Sequence, residues 1–171
     1  KRDPNVWRLL YEFIQQEIEH PIYGRMKIKI GGVDSGYATQ QAYEFVNRCQ
    51  PMLVYAIKGS PNRLRMPVEV PKRRSRSSAL LVDTPEFKST IYSRLKLTVP
   101  GPGYMHFPKW VDEEYMLQLT AEKFTTRYER GVKKQVWENV RSNKRNEELD
   151  LRVYNHAALY LLTVDWEKLA I

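Results

Sequence analysis

Three acidic residues in this sequence stand where carboxylates can hold a divalent cation. Asp34 ends an apolar run and is followed by Ser35 and Gly36, which is typical of a turn that leaves a strand. Glu147 and Asp150 are three residues apart, so on a helix they share one face. Mg²⁺ prefers one or two protein carboxylates and completes its shell with water and phosphate oxygens. These residues indicate metal-assisted chemistry on a phosphate; the alternatives are a turn aspartate that caps the next helix and a solvated acidic face.

A basic stretch lies at residues 59–76, among Pro, Ser and Asn, with Glu69 as its only acid. Its basic residues are Arg63, Arg65, Lys72, Arg73, Arg74 and Arg76. Lys and Arg neutralise backbone phosphates without distinguishing base sequence, so we predict a mobile loop that contacts DNA. A loop that serves only solubility is the alternative. Lys58, just before it, is a candidate for stabilising transition-state charge on phosphorus, or for solvating a strand end.

The overall charge favours a polyanionic partner. The chain has 171 residues, a net charge of +8 and a pI near 9.5. Charge alone does not separate nucleic acid from a membrane surface, but no apolar run approaches the roughly 20 residues of a spanning helix. No signal-peptide pattern opens the sequence. We therefore expect one compact core, an intracellular location and no membrane partner.

The cysteine and histidine content limits the kind of metal. Cys49 is the single cysteine, which excludes an internal disulfide and a multi-cysteine zinc site. The three histidines, His20, His106 and His156, have no HxH or HExxH spacing. Any metal is expected to be hard and oxygen-ligated. A GxxxxGK[ST] phosphate loop is absent from the sequence, so we do not expect this chain to be an ATPase.

The elements of the first half predict a βαβ unit. Apolar spacing predicts an amphipathic helix over residues 5–19, followed by a strand at 26–33. A helix at 39–48 and a buried strand at 52–58 complete the unit, in which the two strands are parallel. Ligand sites in such sheets lie beyond the carboxyl ends of the strands. Asp34 and Lys58 both fall at that position.

The second half predicts a strand, three helices and a hairpin. The strand spans 79–82, and Thr84 is the predicted cap of a helix at 85–95. A helix at 112–119, a hairpin at 124–137 around Gly131 and a helix at 146–162 follow. The last helix is expected to point inward with Leu149, Val153, Ala157, Tyr160 and Leu161. The remaining carboxylates beside apolar segments, interpreted as caps or surface charges, are Asp83, Glu114 and Glu122.

Six blocks in order resemble one family. They are GGVDSGYATQQAYEFV, YAIKGS, LLVDTPEFKSTIYSRL, YMHFPKW, QLTAEK and RNEELDLRVYNHAAL, spanning about residues 6–163. Together they resemble the C-terminal nuclease domain of the GpA-type, lambda-like phage large terminase subunit. The resemblance implies an α/β, RNase H-like mixed sheet flanked by helices, and a metal-dependent endodeoxyribonuclease that cleaves concatemeric phage DNA. It also implies two Mg²⁺ or Mn²⁺ ions, about 3.5–4 Å apart in such sites, that stabilise the attacking and leaving oxygens.

The resemblance carries site residues and partners with it. Asp34 matches the acid of the family's D-[ST]-G block, Asp150 matches the aspartate of its N-E-x-L-D block, and Glu147 matches that block's glutamate. Asp83 matches the aspartate of the D-T block. The implied partners are double-stranded DNA, the terminase small subunit, the portal and the terminase ATPase domain, with the protein in the host cytoplasm and not in the mature virion.

One departure concerns the start of the fold. In the family, a strand with a D-x-Q block precedes the helix that leads to the D-[ST]-G block, whereas here the helix at 5–19 already leads to the strand of Asp34. We therefore expect a single nuclease domain over 1–171 that lacks the first strands and the first metal-binding aspartate, as an N-terminally truncated or partly ordered fragment; the alternative is that the alignment to the family is shifted by one element. Two rival hypotheses are a basic DNA-binding or docking module without catalysis, and a nucleotidyl-transfer or resolvase-like enzyme with the same acids.

Overall fold

The computed structural model describes residues 5–50, 52–70, 79–140 and 145–164. The chain has a mixed α/β fold with a mixed sheet flanked by helices, as predicted, and is consistent with the RNase H-like architecture. The described helices are α1 (Asn5–Gln15), α2 (Thr39–Arg48), α3 (Thr84–Leu95), α4 (Glu113–Leu119) and α5 (Glu147–Leu161). The described strands are β1 (Glu17–His20), β2 (Gly24–Lys27), β3 (Gly31–Asp34), β4 (Val54–Ser60), β5 (Val68–Glu69), β6 (Leu80–Asp83), β7 (Glu122–Glu129) and β8 (Val132–Asn139).

The chain divides into two compact units. Unit 1 comprises Lys1–Lys58, Val70–Leu81 and Leu162–Ile171, and unit 2 comprises Gly59–Glu69 and Val82–Leu161. The four-stranded sheet has the order β3-β4-β6-β5, and the boundaries between the units fall within its strands β4 and β6. The prediction of a single nuclease domain stays a prediction.

Unit 1 contains the predicted βαβ unit. Strands β3 and β4 pair in parallel, with Gly31 opposite Val54 and Asp34 opposite Ile57. Helix α2, between them, has the predicted bounds. Its apolar side packs into a core that is formed by Ile14, Phe45, Cys49 and Val54, with Trp7, Leu10, Val33, Val46 and Met52 against it. This core supports the strand that ends at Asp34.

The predicted N-terminal helix, at residues 5–19, was wrong at its C-terminal end. Helix α1 stops at Gln15, and Glu17–His20 pairs antiparallel with Gly24–Lys27. The turn between them is held by His20, whose Nδ1 accepts from the backbone N–H groups of Ile22 and Tyr23 at 3.2 Å. Ile18, expected on the buried face of a helix, is half exposed in β1. The predicted strand at 26–33 is likewise two separate strands, because residues 28–30 are in neither.

Unit 2 is built around α5. Its buried residues Leu149, Val153 and Ala157 recur every four residues and form one face, as predicted. Helices α3 and α4 both contact α5. Tyr160, expected to point inward, is exposed, since it lies one turn beyond the packed part of that face. The hairpin of β7 and β8 pairs from Glu122–Asn139 to Glu129–Val132, which confirms the predicted turn around Gly131.

The basic stretch is more ordered than predicted where it is described. Strand β4 continues to Ser60, and β5 lies at Val68–Glu69, inside the segment that was predicted to be a mobile loop. Residues 71–78 lie outside the described part of the chain. Among the described residues, no helix has the length and apolar character needed to span a bilayer.

Candidate functional site

Asp34 is the last residue of β3, and its side chain accepts a hydrogen bond from the loop that follows. Its Oδ1 accepts a hydrogen bond of 2.7 Å from the backbone N–H of Gly36. The turn is anchored by buried Ser35, whose Oγ donates to the carbonyl of Ile57 at 2.9 Å. Asp34 does not cap α2, because the N-cap of α2 is Ala38 and has no side-chain hydrogen bond. Asp34 lies at the carboxyl end of β3, as the sequence predicted, and the residue is exposed.

Lys58 was predicted at the end of its strand, but β4 runs two residues further to Ser60. The Lys58 residue is exposed. Ser60 and Gly59 instead contact the start of α3: the Thr84 hydroxyl donates to the carbonyl of Ser60 at 2.7 Å. A Cβ on Gly59 would stand 2.8 Å from the Thr84 methyl group, so a close approach requires glycine there. The role of Lys58 in charge stabilisation stays a prediction.

Asp83 is the N-cap of α3. Its Oδ1 accepts from the Glu86 N–H at 2.9 Å and its Oδ2 accepts from the Leu64 N–H at 2.8 Å. The residue is only 2% exposed. Thr84, the cap predicted from sequence, is the first residue of the helix and uses its hydroxyl elsewhere. Both oxygens of Asp83 thus serve the backbone, and its assignment as a metal ligand stays a prediction.

Helix α5 presents the second pair of acids in its first turn. Glu147 is exposed, whereas the Asp150 side chain is 40% exposed. Asp150 Oδ2 lies 3.3 Å from Nδ2 of Asn146, and its Oδ1 lies 3.8 Å from Nζ of Lys88. The two acids share a helix turn as predicted, and Asp150 is the acid that contacts Asn146 and Lys88.

A buried ion pair lies beside Asp150, and sequence reasoning missed it. Lys88 of α3 donates to both carboxylate oxygens of Glu122 at 2.7 Å, and the two side chains are 9% and 8% exposed. Asn146 also donates to Glu122 Oε1, at 2.8 Å. The interpretation of Glu122 as a cap or surface charge was wrong. The sequence feature that could have indicated a buried ion pair is Lys88, because it stands three residues before buried Ile91 on the packed face of α3.

Burial shifts the pKa of three neutral groups. Burial raises the pKa of the Tyr92 hydroxyl; the Glu122 charge also raises it, and a hydrogen bond to the Glu122 backbone opposes the shift. Burial lowers the pKa of His156, and the positive charges of Arg94 and Arg152 lower it further. Burial raises the pKa of the Cys49 thiol. None of the three is one of the predicted metal ligands, so these shifts describe packing rather than the acidic centre.

The predicted DNA-contact residues are only partly described. Arg63 is exposed but forms an ion pair with Glu86, and its Nε lies 3.7 Å from Asp83 Oδ2. Arg65 is exposed, and its backbone N–H donates to Glu69 at 3.1 Å. The others, Lys72, Arg73, Arg74 and Arg76, lie outside the described residues. Arg63 is thus partly neutralised, because a neighbouring carboxylate already binds its guanidinium group.

The chemistry of two carboxylates, each taken by itself, fits a hard divalent cation. Asp34 and Asp150 present oxygen atoms on partly exposed side chains, the donors that Mg²⁺ and Mn²⁺ prefer. Glu122 and Asp83 fit less well, since each is buried with both oxygens engaged. Across residues 5–50, 52–70, 79–140 and 145–164, no group of three or more His, Cys, Asp or Glu side chains is assembled to hold a metal.

Comparison with known proteins identifies the family. The family model described as terminase large subunit gpA, endonuclease domain, matches residues 1–169. The terminase large subunit of Escherichia phage lambda is 32% identical over 146 residues, which cover 80% of this chain and 22% of the relative. That of Enterobacteria phage P21 is 28% identical over 150 residues, which cover 81% of this chain and 22% of the relative.

The chain thus spans about a fifth of the length of these relatives. No solved structure matches it significantly. The family model covers nearly the whole chain, and the matched residues include Asp34, Asp83 and Asp150. The chain therefore belongs to the family of gpA terminase large subunit endonuclease domains.

Proposed function

We propose that this chain is a metal-dependent endodeoxyribonuclease that cuts concatemeric phage DNA for packaging. The observation that carries the proposal is the exposed carboxylate of Asp34 at the carboxyl end of β3, in a chain of the terminase endonuclease family. Ligands in open α/β sheets bind beyond the carboxyl ends of strands. A second acid, Asp150, lies in the first turn of α5.

Asp34 and Asp150 are the proposed ligands, with Glu147 as a further acid of the same helix turn. When bound, two Mg²⁺ or Mn²⁺ ions supply Lewis-acid charge stabilisation and an activated water for phosphodiester hydrolysis. The turn of Ser35 and Gly36 orients the Asp34 carboxylate. Lys58, which is exposed on β4, adds positive charge for the phosphate, and the basic residues of 59–76 hold the DNA backbone.

Other parts of the packaging machinery supply the remaining activities in this proposal. The sequence contains no GxxxxGK[ST] phosphate loop, so ATP hydrolysis is assigned to the ATPase domain of the terminase. The proposed partners are double-stranded DNA, the small subunit and the portal, in the host cytoplasm. The large-subunit relatives, which are much longer than this chain, support this assignment.

A plasmid-nicking assay tests the proposal. Wild-type chain is compared with Asp34→Asn and Asp150→Asn in Mg²⁺, Mn²⁺ and EDTA, and DNA affinity is measured in parallel. Each substitution is expected to slow cleavage by about 100-fold or more, because the charge stabilisation that a bound metal provides is worth several kcal/mol. DNA affinity should change little. Matched controls are Glu44→Gln in unit 1 and Glu113→Gln in unit 2, which are exposed helix carboxylates and should cut normally.

The second candidate is a DNA-binding or docking module without catalysis. It is favoured by Asp83, whose two carboxylate oxygens both accept from backbone N–H groups, as in a helix cap. Metal-independent DNA binding with no cleavage in either metal would support this candidate and contradict the nuclease. Strand joining or junction resolution among the products would instead identify a transferase or resolvase-like enzyme.

A further inference from the structure

The Lys88–Glu122 pair is an unusual choice for the interior of a small unit. Burying an ammonium and a carboxylate removes both from water, and apolar residues of similar size are often as stabilising or more so. Both carboxylate oxygens of Glu122 nevertheless have hydrogen-bond donors. Oε1 accepts from Lys88 and Asn146, and Oε2 accepts from Lys88. A buried ion pair is by itself weak evidence for stability, which leaves room for a second role.

The position of Glu122 is fixed through its backbone as well. The Tyr92 hydroxyl donates to the Glu122 carbonyl at 2.5 Å and accepts from the Glu122 N–H at 3.1 Å. Tyr92 lies one helix turn after Lys88 on α3. The same helix therefore holds both the main chain and the carboxylate of Glu122, which makes Glu122 a rigid anchor.

The donors that Glu122 anchors also reach Asp150. Lys88 Nζ is 3.8 Å from Asp150 Oδ1, and Asn146 Nδ2 is 3.3 Å from Asp150 Oδ2, so each of the two residues contacts one carboxylate oxygen. These contacts are longer than those to Glu122, and the Asp150 side chain is far more exposed. Of the two carboxylates that Lys88 contacts, Asp150 is the one whose side chain is more open to solvent, at 40% exposed against 8% for Glu122, so it is the one that a cation can approach.

We propose that Lys88 and Asn146 are positioning residues that hold the Asp150 carboxylate for a divalent cation, with buried Glu122 as their anchor. The inference rests on the proposed function, since it takes Asp150 as a metal ligand. Groups that orient metal ligands through hydrogen bonds commonly change metal affinity by about 10–100-fold when they are removed. The same range is expected here.

The test is Mn²⁺ binding by calorimetry on the full chain without DNA, together with thermal unfolding. The double variant Lys88→Met/Glu122→Met removes both buried charges and keeps the net charge and approximate side-chain length. It should bind Mn²⁺ about 10–100-fold more weakly while its unfolding midpoint stays close to that of wild type. The matched control is Lys134→Met/Glu129→Met, which removes an exposed ion pair of the β7–β8 hairpin and should bind as wild type does.

Cleavage gives a second readout that a merely structural pair would not move. The Mn²⁺ concentration for half-maximal cleavage should rise by the same factor in the double variant, and the rate should recover at saturating Mn²⁺. Asn146→Ala leaves the ion pair in place and should shift the Mn²⁺ affinity in the same direction. That variant keeps the test decisive if the double variant fails to fold.

The outcomes separate this inference from the proposed function. If Asp150→Asn loses Mn²⁺ binding while the double variant and Asn146→Ala bind as wild type does, the positioning role is overturned and the metal centre stands. If Asp150→Asn also binds normally, or if the wild-type chain binds no Mn²⁺, Asp150 is not a ligand in this chain. Both the inference and the proposed role of Asp150 then fail.

Discussion

Asp83 caps α3 in the structure and is a metal ligand in the prediction from sequence, and substitutions distinguish the two roles. Asp83→Ala removes the acceptors of the Glu86 and Leu64 N–H groups, so it should lower the free energy of unfolding by about 1–3 kcal/mol. Asp83→Asn keeps one acceptor oxygen and should cost less. Urea unfolding measures both. Loss of metal-dependent cleavage in a fully folded Asp83→Asn protein would contradict a purely capping role and favour the ligand role predicted from sequence.

His156 predicts a pH dependence of stability. Burial and the nearby Arg94 and Arg152 lower its pKa in the folded chain below the ordinary value of 6.5. Its Nδ1 lies 3.2 Å from the carbonyl of Arg152, and Arg94 Nη1 lies 3.2 Å from Nε2, an arrangement that suits the neutral ring.

The sign of that dependence follows from proton linkage. As pH falls below 6.5, the unfolded chain binds a proton at this histidine before the folded chain does, so folding stability falls until the lowered folded pKa is passed. His156→Gln should therefore lose less stability than wild type between pH 7.5 and 5.5 in urea unfolding. Equal losses in the two proteins would refute the assignment.

At the scale of elements, the strand that ends at Asp34 contains two adjacent glycines, and the space around their α-carbons differs. A Cβ on Gly32 would stand 2.0 Å from Cδ1 of buried Ile57, whereas a Cβ on Gly31 would make an ordinary 3.7 Å contact with Val54. Gly32→Ala should therefore lower the free energy of unfolding by about 1–3 kcal/mol through overpacking. Gly31→Ala is the matched control and should cost clearly less.

The close approach itself can be tested by a double-mutant cycle. Ile57→Val deletes the Cδ1 atom that an added methyl group at Gly32 would meet, so Gly32→Ala should cost less in that background. An unchanged cost would mean that the destabilisation arises from the backbone of β3 rather than from contact with Ile57.

At the scale of the whole molecule, the charge of +8 predicts salt-sensitive DNA binding. The logarithm of the association constant should fall linearly with the logarithm of salt concentration, with a slope of about −0.9 per neutralised phosphate. Arg65→Ala should reduce the magnitude of this slope by about 1 if the exposed guanidinium contacts a phosphate. Arg8→Ala, which removes an arginine already paired with Glu12, is the control. Salt-independent binding would exclude the electrostatic interface.

The sequence by itself determined the features that depend on local pattern. The bounds of α2, the parallel pairing of β3 with β4, the hairpin at Gly131 and the buried face of α5 all follow from apolar periodicity and turn residues, which act within a few residues. The order of six short blocks likewise identified the family, which the comparisons confirm. The same local patterns placed Asp34 at the end of a strand and Asp150 near the start of a helix.

Only the tertiary structure decided which side chains meet. Residues 17–20 pair as a strand with 24–27 although their apolar spacing also suits a helix, and the turn that brings the two segments together is held by hydrogen bonds to His20. Asp83 rather than Thr84 caps α3, since Leu64 lies within reach of its carboxylate. Lys88 and Glu122 are 34 residues apart. The position of Lys88 on the packed face of α3 is a local signal, but its pairing with Glu122 depends on long-range packing of α3 against β7, which no local pattern predicts.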